Sequence, residues 1–216
     1  MNNILPDSQK KINLNVYELM EKNNIWLVLG YRWILFSLVS GLLTLLISTR
    51  IGLPTEINKF IPADNSIRSF FTIVSTVTSL FVPIMLIAVF ALCLKLINAI
   101  FIFFYKVKIT MKQAFIISTF SYSFLFISQI VRSIVSLKQG IYFMHSVLSF
   151  GFYVPSLVNK GFLFRLLENF DLFSLIFIYF MAKGLGSYTK TNIKVSLIIM
   201  FCFYMGLNIF QSLVLR

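Results

Sequence analysis

The sequence predicts an all-α integral membrane bundle of five crossing helices, with six crossings as the alternative. Three observations lead there. The 216-residue chain is 58% hydrophobic and only 12% charged, roughly half the charged share of an ordinary soluble domain. Its mean hydropathy is +0.88. Its apolar runs have bilayer length and are divided by turns rich in lysine, arginine and proline. Such a chain lacks the polar residues to cover itself in water, and one compact bundle is the simplest domain plan.

Residues 1–24 are polar, with Lys10, Lys11 and Lys22 set against Asp7, Glu18 and Glu21. Ile12, Leu14, Val16, Leu19 and Met20 form a weak apolar stripe. The segment reads either as a short helix on the membrane surface or as a solvated cytoplasmic tail. No apolar stretch with a small-residue cleavage site follows it directly, so the first crossing is expected to act as an uncleaved anchor.

The first crossing is expected over about Ile25 to Ser48. Arg32 lies early in it between Tyr31 and Trp33, with Trp26 just before. Aromatic residues around a snorkelling arginine mark a headgroup boundary. Residues 49–69 hold Pro54, Pro62, Glu56 and Asp64 and read as a polar loop.

The second apolar run begins near Phe70 and continues past Lys95 to Phe104. As one helix it measures about 52 Å, well beyond a hydrocarbon core of about 30 Å. The helix is expected to leave the membrane near Lys95 with its tail along the interface; the alternative shifts the crossing toward Phe104. Pro83 in its middle predicts a kink, with the hydroxyls of Ser75, Thr76, Thr78 and Ser79 near the freed backbone groups. A gate at Pro83 is the sharper reading and a packing kink the plainer one.

The turn at Tyr105–Phe115 carries Lys106, Lys108 and Lys112 and no acid. Thr110 and Gln113 have capping-box spacing, so a helix is expected to start at Met111. The third crossing then runs over about Ala114 to Val131 and ends at Arg132. Its Ser118, Ser121, Ser123 and Ser128 suit close helix approach and hydrogen bonding. Gln129 reads as interhelical glue, or as a substrate contact.

Residues 136–165 are mostly apolar but hold His145, Gly151 and Pro155. They read as an interfacial or re-entrant segment, or as the sixth crossing. The fourth crossing covers about Asn169 to Ser187. Asp171 is expected to be its N-cap, with Phe170 and Leu175 at staple spacing. Glu168 and Asp171 are also the best candidates for a cation or partner site. The last crossing is Ile193 to Leu215.

With five crossings, the two acid-free loops share a side. One holds Lys95, Lys106, Lys108 and Lys112; the other holds Lys183, Lys190 and Lys194. The positive-inside rule places both in the cytoplasm, which puts the N-terminus in and the C-terminus out. The net charge of +12 then belongs to anionic lipid at the basic loops rather than to nucleic acid.

The sequence offers little chemistry. There is no phosphate-binding glycine loop, no HExxH, no nucleophile elbow, and only one histidine. No catalytic residue, metal or cofactor is expected. Cys93 and Cys202 stand alone in apolar runs.

Two stretches resemble the Yip1 domain family of small multi-pass membrane proteins. One is Lys108-Ile-Thr-Met-Lys-Gln-Ala-Phe115 followed by Ser121-Tyr-Ser123, where Gln113 takes part in a short basic turn and helix entry. The other is Asp171-Leu-Phe173 followed by Gly184-Leu185, a basic turn and a last helix. Residues 25–215 follow the family's five-helix plan. Phe124-Leu-Phe126 stands where proline often follows Tyr-Ser. The resemblance implies a non-enzymatic protein, close in plan to the short bacterial members of the inner membrane. The leading expectation is an accessory or scaffold subunit, acting by helix packing beside another membrane protein or itself. The alternative is a component of a peptide, lipid or ion transporter, including an immunity or export accessory for a toxic peptide, with Pro83, Gln129 and residues 141–158 along its path.

Overall fold

The computed structural model describes residues 17, 25–52, 65–142, 148–149, 167 and 170–214. Within them five helices follow one another: α1 Ile25–Arg50, α2 Asn65–Tyr105, α3 Met111–Gln139, α4 Leu172–Thr189 and α5 Ile193–Val214. All five are long and apolar enough to cross a membrane. No strand runs among the described residues; the one extended pairing is an isolated bridge between Ser149 and Asp171.

The helix ends are written in local chemistry. At the start of α3, Thr110 accepts from the Gln113 backbone N–H at 3.2 Å, and Gln113 returns the bond to the Thr110 N–H at 2.8 Å. This is the expected capping box, and the helix starts at the expected Met111. At its far end Gly140 takes the left-handed conformation, φ 68°, which ends a helix at no Cβ cost. At the start of α4, the Asp171 side chain accepts from the Ser174 N–H, as expected of its N-cap. Lysines end two helices in the left-handed region, Lys106 after α2 and Lys190 after α4, each with φ 55°.

Helix α2 departs from expectation. It is a continuous 41-residue helix, about 61 Å long. It begins at Asn65, so Arg68 is helical rather than part of a loop. It continues through Lys95 to Tyr105. The Lys95 ammonium donates to the Ile109 carbonyl at 2.8 Å, so the charge is used inside the protein. Three residues on, Asn98 is 1% exposed and its Oδ1 accepts from the Ile109 N–H at 3.2 Å. One turn of α2 thus holds both backbone groups of Ile109 and fixes the α2–α3 turn. Pro83 sits buried within α2. The nearby hydroxyls bond back along the helix, Ser79 to the Thr76 carbonyl at 2.7 Å and Thr76 to the Thr72 carbonyl at 2.8 Å. None of these is the Ser79 carbonyl that the proline frees.

The core lies on α3. Helices α1, α2 and α4 all pack against it, α1 also packs along α2, and α5 packs chiefly on α4. Ala114, Ile116 and Ile117 of α3 meet Ala91 and Leu94 of α2 and Met181, Ala182 and Leu185 of α4 in the main cluster. A second cluster joins Phe36, Ile87, Tyr122 and Phe126. The Phe36 and Phe126 rings lie 4.6 Å apart, close enough to add to simple burial. Close approach needs small residues at two crossings. A Cβ on Gly184 would lie 2.8 Å from Ile117, and Gly41 is pressed against Leu80.

Residues 143–147 and 150–166 lie outside the described residues, and with them His145, Gly151 and Pro155. The interfacial, re-entrant and sixth-crossing readings of 141–158 fall there. Glu168 and Asn169 are outside as well.

Candidate functional site

Two polar layers interrupt the apolar interior, one near each end of the bundle. The first is built on Asp171. As N-cap of α4 it stays in extended backbone, φ −124° and ψ 166°, so its carboxylate folds back over the first turn. One oxygen takes the Ser174 N–H, and the other accepts from the Ser128 hydroxyl of α3 at 2.9 Å. The side chain is 6% exposed. A buried carboxylate requires such donors, because an unpaired charge is costly away from water. Tyr204 of α5 adjoins Ser174 in this layer, and the Asn208 side chain donates to the Tyr204 carbonyl at 3.0 Å. Phe170 turns toward α5 and meets the Tyr204 ring edge-on at 5.6 Å.

Gln129, the next residue of α3, faces another neighbour. Its Nε2 donates to the Ser40 hydroxyl of α1 at 3.0 Å, and Ser40 is buried. Successive α3 residues therefore tie α3 to α4 and to α1. The layer gathers Asp171 and Gln129 at one level, with Arg132 one turn farther along α3 and half-buried. Pro83 lies on α2, while Gln113 and Gly184 belong to the opposite end of the bundle.

The second layer was not legible as a site. Its centre is Tyr17, which the sequence placed on a surface helix or in a solvated tail. That expectation fails at this residue: Tyr17 is 1% exposed. Its hydroxyl donates to the Phe180 carbonyl at 2.9 Å, and its own carbonyl accepts from the Tyr188 hydroxyl at 3.0 Å. Its ring stands edge-on to Phe120 at 5.5 Å and to Tyr188 at 6.3 Å. Gly184 makes the space, since an added Cβ would come within 3.1 Å of the Tyr17 ring. Burial pushes the Tyr17 hydroxyl above the ordinary phenol range, and the neighbouring Tyr188 and Tyr179 add to it. The sequence signal was thin: one tyrosine beside a weak apolar stripe, and a glycine 167 positions away.

Close to it, the α4–α5 turn is fastened by hydroxyls. Thr189 donates to the Leu185 carbonyl at 2.7 Å, Thr191 lies 2.8 Å from Thr189, and Ser196 lies 3.0 Å from Thr191. With the Thr189 proton committed, Thr191 donates to Thr189 and Ser196 to Thr191. The close packing of Gly186 on Ser196 allows this chain.

The serines of α3 divide. Ser128 ties helices together, whereas Ser118 and Ser121 are fully buried with hydroxyls that find no partner among the described residues. They act as small residues at a close helix approach rather than as hydrogen-bonding ones. Between α2, α4 and α5 a cleft is lined by Phe90, Cys93, Phe177, Met181, Met200 and Phe203, among others, with an apolar wall. Among the described residues, no group of three or more His, Cys, Asp or Glu side chains lies together. No family model, curated protein or solved structure matches this chain.

Proposed function

We propose that the chain is a non-enzymatic multi-pass membrane protein that works as an accessory or scaffold subunit in a bacterial cell membrane, on a plan like that of the short Yip1-domain proteins. The observation that supports this reading is the use made of the polar side chains. Gln129 is committed to Ser40 and Asp171 to Ser128 and the α4 backbone, so each joins helix to helix. Such bonds hold a bundle together in a medium that offers no competing water. The acid-free turns carrying Lys106, Lys108, Lys190 and Lys194 would face the cytoplasm and anionic lipid, with the N-terminus inside.

The partner face in this reading is α5. It rests chiefly on α4 and leaves Ile198, Phe201, Leu207 and Phe210 exposed. Cys202 is exposed on the same helix. Crosslinking through Cys202 in native membranes, followed by mass spectrometry, tests the proposal. Adducts with a second membrane polypeptide are expected. Adducts with this chain alone would sink the accessory-subunit reading.

A transport component is the second reading, favoured by the buried Asp171 carboxylate, since ionisable groups within crossing segments often mark a pathway. Proteoliposome flux with Gln129→Leu and Asp171→Asn decides it. The transport reading requires flux in the parent chain and its loss in Asp171→Asn.

A further inference from the structure

Two cations lie within helices at matched depth on either side of α3. Arg32 is seven residues into α1, and Lys183 is six residues before the end of α4. Both helices pack on α3 but share no substantial contact with each other. With α2 packed on α3 as well, the remaining face of α3 forms the floor of a groove between α1 and α4. That floor is Phe120, Phe124 and Ile127 at helical spacing, half-buried or exposed.

One cation sits over this floor and the other over the α4 ring beside it. The Arg32 guanidinium lies 5.8 Å from the centre of the Phe120 ring, and the Lys183 ammonium 6.0 Å from that of Phe180. The two rings touch edge to face at 5.3 Å, and Phe124 stacks on Phe180 at 4.5 Å. The Tyr17 ring packs edge-on against Phe120 at 5.5 Å. Neither cation has an ion pair or hydrogen bond among the described residues, and Asp171, the one described carboxylate, is engaged near the other end of α4. Two positive charges over aromatic rings in an apolar setting favour an anion beside them.

We propose that this groove is a binding site for an anionic phospholipid, with the headgroup phosphate between Arg32 and Lys183 and an acyl chain along Phe124 and Ile127. The chemistry matches on both counts. A guanidinium and an ammonium are the two side-chain groups best suited to phosphate. The floor beyond them is aromatic and aliphatic, as a lipid tail needs. The site is distinct from the lysines of the turns, which meet headgroups only as a diffuse surface field.

The test uses the full chain in vesicles of phosphatidylcholine containing a photoactivatable phosphatidylglycerol. Adducts are expected on the peptides bearing Phe124 and Ile127. Unlabelled phosphatidylglycerol should compete, and inorganic phosphate should not. Arg32→Gln and Lys183→Gln should each lower the labelling about fivefold, at about 1 kcal/mol per cation, while Lys190→Gln/Lys194→Gln leaves it in place. Lys183→Gln alters an exposed side chain, so it keeps the test sound should Arg32→Gln fail to fold. Labelling that is unchanged in Lys183→Gln, falls only in the turn variant, or yields to inorganic phosphate would overturn the proposal. Loss of labelling leaves the accessory-subunit reading open, because that reading is tested separately, through Cys202 on α5.

Discussion

The Tyr17 hydroxyl donates to the Phe180 carbonyl at 2.9 Å across 163 positions of sequence. This bond joins the chain before α1 to the middle of α4, and the Tyr188 hydroxyl closes the joint on the Tyr17 backbone. Tyr17→Phe keeps the ring and loses the hydroxyl bond, so it should cost about 1 kcal/mol. Tyr17→Ala also empties the space beside Gly184 and should cost about 3–5 kcal/mol. The pH dependence has a definite sign. Burial raises the phenol above its unfolded value, so its contribution is complete below about pH 10. It is lost as pH climbs from there toward the folded value. Thermal unfolding in detergent should show the parent chain above Tyr17→Phe at neutral pH, with the gap narrowing above about pH 10. A gap that widens there would contradict a buried neutral phenol.

Asp171 separates capping from charge. Asparagine caps a helix nearly as well as aspartate and still reaches Ser128. Asp171→Asn should therefore keep most of the stability, whereas Asp171→Ala loses the cap and leaves Ser128 and the first turn of α4 short of partners. A loss of about 1–3 kcal/mol is expected for alanine, read as a shift in the denaturation midpoint. Equal losses for the two variants would mean that the carboxylate charge itself holds the layer.

The contrast between Asp171 and Tyr17 shows what a sequence displays. Asp171 was legible because a helix cap is a local device: an acid directly before an apolar run. The box at Thr110 and Gln113 was legible for the same reason, and so were the five helices, whose apolar length is a local property. Tyr17 was not, because its partners lie on α3 and α4, more than a hundred positions away. The partner of Lys95 was hidden for a related reason: the Ile109 carbonyl that meets it lies beyond the end of α2, fourteen positions on. Gln129 offered glue or ligand from sequence, and its bond to Ser40 on α1, 89 positions away, could not be read there.

Ser118 and Ser121 carry a cost that alanine would remove. Both hydroxyls are fully buried and without partners among the described residues. An unsatisfied buried hydroxyl costs about 1–3 kcal/mol, and alanine keeps the small volume that the helix approach requires. Ser121→Ala and Ser118→Ala should each raise the unfolding temperature of the purified protein. A drop in either would show that the hydroxyl finds a partner in the folded chain.

Gly184 offers the strictest test of the packing between α3 and α4. Its missing Cβ would sit 2.8 Å from Ile117 and 3.1 Å from Tyr17, and all three residues are buried. Alanine is otherwise the better helix residue by about 1 kcal/mol, so propensity alone predicts that Gly184→Ala stabilises. Overpacking predicts the reverse, a loss of about 1–3 kcal/mol. The steric effect should win here, because Ile117 is fixed in the centre of the core cluster. Shortening the opposing side chain should then restore room: Gly184→Ala with Ile117→Val should be more stable than the sum of the two single changes allows. A double-mutant cycle on thermal unfolding measures that coupling. A coupling of zero would mean that α3 and α4 do not meet through this pair.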